Sequence, residues 1–162
     1  MKIEGIQKID LPRERVFGAM IDPAVLQKCI PGCEQMEKTG DNQYNAKLTA
    51  GVGSIKGVFN ATLSLENVTP PENYTLVVEG KGQKGFVKGT GEFNLTDAGD
   101  GTSIHYAGEV NVGGLLASVG QRMIQGAANM LAKKFFVCLE GATKGLQGET
   151  EKLDGEVEAL DG

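Results

Sequence analysis

The hydrophobic pattern changes its period once along the chain, and this change constrains the fold more than any other feature. Between residues 44 and 112, apolar side chains recur at every second position, in stretches separated by short turns rich in Gly, Pro, Asn and Asp. Such alternation predicts half-buried β-strands, and short turns between them predict an antiparallel meander. Residues 115–140 repeat with a helical period instead, which predicts one helix roughly 39 Å long.

The segment before the meander predicts one further strand and two short helices. Residues 3–10 have the pattern of a strand, and Pro12 suits the first turn of a helix. Asp22 followed by Pro23 predicts the start of the second helix, because Asp is a favoured N-cap and Pro fits the first helical position. The whole order predicts an α+β fold, in which a bent antiparallel sheet of about seven strands buries its apolar face on the long C-terminal helix.

Glycine is unusually frequent, with 24 glycines among 162 residues, roughly twice the average share. Several fall at inward strand positions, where they let a sheet bend and leave space unfilled. A bent, underfilled sheet around one helix predicts an internal cavity for an apolar ligand. The predicted lining combines inward strand positions with the helix stripe: Phe59, Leu76, Phe93, Tyr106, Leu116, Val119, Met123 and Ala127. Tyr106 is the predicted polar group, because a buried phenol needs a partner.

Charge and composition exclude several classes of protein. Residues 142–162 contain six acidic and two basic side chains, so they hold −4 of the net charge of −5. We therefore expect a domain over residues 1–141 and an acidic mobile tail over 142–162. The nearly neutral body disfavours nucleic-acid binding. No apolar run reaches the roughly 18 residues of a membrane span, and no signal peptide is recognisable, so we expect a cytoplasmic protein with reduced cysteines.

The three cysteines do not form a recognisable metal site. Cys29 and Cys33 flank a Pro-Gly turn with a spacing unlike that of a zinc knuckle, and there is no second Cys/His pair. One interpretation is two half-buried thiols, and the other is a redox or partner-docking turn. Cys138 falls on the long helix and is predicted to be in the core. The single histidine, His105, is predicted on the polar side of a strand, so neither a metal nor a catalytic site is predicted.

Residues 80–85 match the glycine pattern of a dinucleotide-binding loop. Such a loop needs a helix after it to bind the pyrophosphate, whereas here another strand follows. We therefore predict a bent hairpin. Two interpretations remain for it: a solvated turn, or a basic and apolar edge that contacts a membrane or a partner. The residues of this edge are Lys81, Lys84, Phe86 and Lys88.

Three stretches resemble the carbon monoxide dehydrogenase G-subunit family, within the helix-grip superfamily of lipid-transfer and plant-allergen type domains. The first is residues 22–34, with the core Cys-Ile-Pro-Gly-Cys. The second is residues 52–59, and the third is residues 112–128. Together with the order of the elements, the resemblance covers roughly residues 1–140.

The resemblance implies a binding or accessory protein, not an enzyme, for a molybdenum hydroxylase of the carbon monoxide dehydrogenase type. It implies a lipophilic ligand such as a quinone, and a role in peripheral membrane association or electron transfer. The acidic tail would be repelled by anionic lipid, so the tail is not the expected anchor. Two alternatives remain: a docking protein with an incidental cavity, which uses the turn at Cys29 and Cys33, and a small hydrolase or cyclase, for which no acid–base pair is visible.

Overall fold

A computed structural model describes the backbone of residues 1–161 and the side chains of residues 1–144. The predicted α+β order with seven strands is confirmed. In chain order the elements are β1 (Lys2–Ile9), α1 (Arg13–Ile21), α2 (Pro23–Cys29), β2 (Cys33–Gly40), β3 (Gln43–Val52), β4 (Ile55–Thr69), β5 (Asn73–Gly82), β6 (Gly85–Ala98), β7 (Gly101–Gly113), a 3₁₀ helix (Gly114–Val119) and α3 (Gln121–Asp161).

The seven strands form one antiparallel sheet in the order β1-β7-β6-β5-β4-β3-β2. Strands β2 to β7 follow one another as a meander, and β1 pairs with β7 at the far edge. Since β1 and β2 lie at opposite edges, α1 and α2 must cross from one edge of the sheet to the other. Both short helices contact α3, so all three helices cover the same face of the sheet. This arrangement is the predicted helix-grip fold.

Local sequence signals account for the start of α2. The Asp22 side chain accepts a hydrogen bond from the Ala24 amide at 2.9 Å, and Pro23 occupies the first turn. This is the N-cap arrangement that the Asp-Pro pair predicts. Val25, Leu26 and Cys29 are the buried residues of the helix, and they direct its apolar side towards α3 and the sheet.

The densest part of the core lies between α1, the strands β6 and β7, and the middle of α3. Ile104, Leu139 and Val16 have no solvent exposure, and Met20 and Leu95 have 2%. Full burial of such a side chain contributes about 1.5–3 kcal/mol to folding. This packed end holds α3 on the sheet.

The long helix starts later than its periodicity predicts. Gly120 has a φ of +93°, a region that residues with a side chain rarely adopt, and here the chain turns from the 3₁₀ helix into α3. Leu116 and Val119 therefore leave the stripe of the long helix. The acidic tail predicted over residues 142–162 lies, beyond Lys144, outside the side chains that the structure describes. That this tail is a separate, mobile unit stays a prediction.

The contacts of Thr143 predict where the chain can be shortened. Thr143 is 5% exposed, and its carbonyl oxygen accepts a hydrogen bond from Arg15 Nη2 at 3.0 Å. Removing residues 142–162 should therefore lower the melting temperature by roughly 3–6 °C, the effect of about 1–2 kcal/mol. Removing only residues 145–162 should change it by less than half as much. Thermal unfolding followed by circular dichroism compares the two truncations, and a loss above roughly 5 °C for the shorter deletion would contradict the boundary.

Candidate functional site

An apolar cavity of about 360 Å³ lies between the sheet, α2 and α3. Aliphatic, aromatic and glycine residues make up nearly all of its wall. The strands contribute Ile3, Leu63, Tyr74, Leu76, Val78, Val87, Gly89, Thr90, Gly91, Phe93, Tyr106, Ala107, Gly108 and Val110, and the helical side contributes Leu26, Ile30, Pro31, Leu131, Ala132, Phe135 and Phe136. Leu131 is 46% exposed, so the cavity reaches solvent beside the middle of α3.

A row of aromatic rings separates the cavity from the packed core. Tyr74, Phe93 and Tyr106 are register partners on β5, β6 and β7, so their side chains project from the same face. Tyr74 stacks on Phe93 with ring centres 5.2 Å apart, and Tyr106 stacks on Phe136 of α3 at 5.6 Å. These rings form the floor of the cavity.

Glycines above this floor leave the space open. Gly91 and Gly108 face each other on β6 and β7, next to Phe93 and Tyr106 along their strands. A Cβ atom added at Gly91 would meet no atom closer than 3.8 Å, which is ordinary van der Waals contact. The cavity is thus bounded below by rings and on its strand side by backbone, as an underfilled sheet requires.

The structure places three of the eight sequence-predicted lining residues in the wall: Leu76, Phe93 and Tyr106. The other five lie elsewhere, because the interruption at Gly120 brings residues 131–136 over the sheet instead of 116–127. Leu116 is buried, and its amide donates to the Lys84 carbonyl. Val119 and Met123 lie beside Gly53, and Met123 is 49% exposed. Phe59 is buried but outside the cavity wall, as is the half-buried Ala127.

Sequence reasoning missed Tyr74 and the aromatic residues of α3 as lining residues. Tyr74 is 5% exposed, and burial, with a smaller contribution from nearby Tyr44, raises the pKa of its phenol. Burial and the charge of Asp22 also raise the pKa of Tyr44, whose hydroxyl donates to the Ile21 carbonyl at 2.6 Å. The alternation of β5, which begins at Tyr74, was the signal that could have identified it.

Tyr106 lies in the floor, but its hydroxyl does not reach into the open space. The ring extends over Gly5, its register partner on β1, and a side chain at position 5 would collide with the hydroxyl. Gly5 therefore makes room for the end of the Tyr106 side chain at the edge of the sheet. This placement separates the phenol oxygen from the centre of the cavity.

A disulfide bond joins Cys29 of α2 to Cys138 of α3, across 109 residues of sequence. The structure thereby corrects the expectation of reduced thiols and of a paired turn at Cys29 and Cys33. Cys29 is 3% exposed, so no thiol at this position is available to a partner. Cys33 is the free, half-buried cysteine; its thiol donates to the Gln35 carbonyl, and burial raises its pKa.

The disulfide lies close to the mouth of the cavity. Leu26 and Ile30 flank Cys29, and Phe135 lies one helical turn before Cys138; all three line the cavity. The bond therefore fixes the distance between the two helices that bound the opening.

The glycine-rich hairpin of β5 and β6 presents an exposed basic and apolar surface. Lys81 and Phe86 are register partners, so they share a face, and Lys88 follows two residues later on that face. Phe86 is 40% exposed and lies next to Leu115, which is 50% exposed. The aliphatic part of Lys84 instead lies over Gly57. Three of the four predicted contact residues thus point the same way.

The outer face of the sheet has a different character. A depression of about 490 Å³ on it is lined by charged side chains that include Glu79, Lys88 and Glu92. His105 is also exposed there, with Nε2 at 3.4 Å from the Ser103 hydroxyl. Among the described residues, no helix is both long and apolar enough to span a bilayer.

The fold is shared with several solved structures. A conserved protein from Geobacillus kaustophilus is 34% identical, with 90% of this chain and 96% of that chain covered and a TM-score of 0.86. Ara h 8.0201 is 15% identical, with 90% and 98% covered and a TM-score of 0.69. A START superfamily protein from Mycobacterium smegmatis is 14% identical, with the same coverage and a TM-score of 0.66. The last two show the fold alone.

The family is established by the sequence itself. None of the curated proteins compared with the chain matches it. The family model that describes the carbon monoxide dehydrogenase G-subunit (CoxG) matches residues 5–143, which is nearly the whole of the described domain. The chain therefore belongs to the CoxG family of carbon monoxide dehydrogenase proteins.

Proposed function

We propose that the protein is an accessory protein that binds a lipophilic molecule, of the quinone class, in the cavity between the sheet and α3. Its partner is a molybdenum hydroxylase of the carbon monoxide dehydrogenase type, and it helps that enzyme to associate with the membrane or to pass electrons. The family membership supports the partner. The observation that supports the ligand is the apolar cavity itself.

The size and the wall of the cavity suit a small apolar ring system. Its volume of about 360 Å³ falls within the range of small-molecule sites, which are mostly apolar with few polar groups. A ring system the size of a large aromatic side chain buries up to roughly 250 Å². At about 25 cal/mol per Å² this burial contributes about 6 kcal/mol, which must offset the entropy lost on binding.

The alternatives have less support from the geometry. A hydrolase or cyclase needs acid–base groups that face its substrate, whereas His105 lies on the outer face of the sheet. A docking protein with an incidental cavity would use the turn at Cys29 and Cys33, but Cys29 is buried in the disulfide. The cavity therefore remains the feature best suited to function.

Native mass spectrometry of the purified protein tests the ligand proposal. After incubation with vesicles that contain menaquinone, we expect a species heavier by one ligand, and organic extraction should release that ligand. A protein that stays empty after this incubation would argue for the docking alternative. A variant with a filled cavity, Gly91→Leu, is the matched control and should remain empty under the same conditions.

The hairpin is the proposed site of membrane contact. Phe86 offers an apolar wedge, and Lys81, Lys84 and Lys88 each contribute about 1 kcal/mol near an anionic surface. Reversing the three charges with Glu should therefore reduce binding to vesicles of phosphatidylcholine and phosphatidylglycerol by more than roughly tenfold. Co-sedimentation at low salt measures the bound fraction.

The control variant reverses three exposed lysines elsewhere, Lys8, Lys28 and Lys38, and so has the same net charge. It should bind better than the hairpin variant. Equal binding by the two variants would show that only net charge matters. Absence of binding by the wild type would indicate recruitment through a protein partner.

A further inference from the structure

We propose that the hydroxyl group of Tyr74 is the hydrogen-bond donor inside the cavity, and that it selects lipophilic ligands whose inner end bears an acceptor oxygen, such as a ring carbonyl. This inference rests on the proposed function, because it concerns the same cavity. It adds which residue recognises the polar end of the ligand and which end enters first.

The contacts of the three tyrosines distinguish Tyr74 from the others. The Tyr44 hydroxyl donates to the Ile21 carbonyl at 2.6 Å, so its proton is already used. The Tyr106 hydroxyl lies against Gly5 at the edge of the sheet. The Tyr74 hydroxyl has no hydrogen-bond partner among the residues whose side chains are described, although the residue is 95% buried and lines the cavity.

A buried hydroxyl without a partner is costly, and a ligand can relieve that cost. Buried donors in proteins are almost always paired, and an unpaired one destabilises by the full cost of removing it from water. A water molecule held in a cavity needs two to four polar partners, and the apolar wall offers few. An acceptor oxygen on the ligand is therefore the best partner for this hydroxyl.

The position of Tyr74 sets the orientation of the ligand. Its ring is held on two sides, by edge contact with Phe17 at 5.6 Å and by stacking on Phe93 at 5.2 Å. It belongs to the floor, away from the exposed Leu131 at the mouth. The acceptor end of the ligand thus enters first, and an apolar tail extends past Leu131 towards solvent. Because burial raises the pKa of Tyr74, the phenol stays a donor throughout the neutral range.

Two probes with one carbon skeleton test this inference: 2-methyl-1,4-naphthoquinone, which has two carbonyl groups, and 2-methylnaphthalene, which has none. Dissociation constants are measured by ligand-observed NMR for the wild type and for Tyr74→Phe. We expect the substitution to weaken binding of the quinone by roughly three- to tenfold, the loss of one net hydrogen bond. Binding of the hydrocarbon should be unchanged or slightly tighter.

Tyr106→Phe is the matched control, since it removes one hydroxyl from the same row of rings, and it should leave both dissociation constants unchanged. The melting temperature gives a second readout: Tyr74→Phe should keep or raise it, whereas Tyr44→Phe should lower it. An equal effect of Tyr74→Phe on both probes, or a selective loss in Tyr106→Phe, would overturn the role of Tyr74 but leave the cavity as a binding site. Failure of the wild type to bind either probe would overturn the proposed function and this inference together.

Discussion

Replacing Gly91 by Leu is expected to abolish ligand binding while the protein stays folded. A Cβ at this position meets no atom within 3.8 Å, and the rest of the side chain would fill the space above Phe93. Filling a cavity and removing a strand glycine both favour the folded state, by about 0.5–1 kcal/mol for the glycine alone. We expect at least a roughly tenfold loss of affinity for 2-methyl-1,4-naphthoquinone, measured by titration.

Met123→Trp is the matched control for this substitution. Met123 follows the periodicity of the predicted lining, yet the structure places it outside the cavity and 49% exposed. A large ring there should leave affinity at the value of the wild type. Wild-type affinity in Gly91→Leu, or an equal loss in Met123→Trp, would place the ligand elsewhere.

Loss of the disulfide between α2 and α3 is expected to have the largest effect on stability. The bond closes a loop across 109 residues, and chain entropy alone predicts about 5 kcal/mol for such a loop, although typical losses are 2–4 kcal/mol. We therefore expect Cys138→Ser to lower the free energy of unfolding by about 2–5 kcal/mol. Urea unfolding without reductant gives this value from the midpoint and the slope.

Cys33→Ser separates the effect of the bond from that of losing a thiol. The Cys33 thiol donates one hydrogen bond, to the Gln35 carbonyl, and a Ser hydroxyl can replace it, so the change should stay below about 1 kcal/mol. In denaturant, one thiol should titrate per chain without reductant and three after reduction. Three thiols without reductant, or equal costs for the two variants, would contradict the cross-link.

The strand half of the site could be read from the sequence because a strand has a period of two. Once the strands and their turns are placed, alternation alone decides which side chains project inward. Leu76, Phe93 and Tyr106 were identified in this way, and all three line the cavity. The same alternation included Tyr74, which was not selected because burial at the start of a strand depends on what packs above it.

The helical half could not be read in the same way. Each residue turns a helix by about 100°, so the buried stripe depends on where the helix starts and which helix packs beside it. The positive φ of Gly120 moves the start of α3 and brings Leu131 and Phe135 over the sheet. The pairing of Cys29 with Cys138 spans most of the chain and depends on tertiary structure that no local pattern predicts.

Intermolecular NOEs test most directly whether a lipophilic ligand occupies the space between the sheet and α3. In the protein saturated with 2-methyl-1,4-naphthoquinone, we predict NOEs from the probe to the rings of Phe93 and Phe136 and to the methyl groups of Leu76. NOEs confined to Phe86 and Leu115 at the hairpin, with none to the residues of the cavity, would contradict the assignment of this cavity as the binding site.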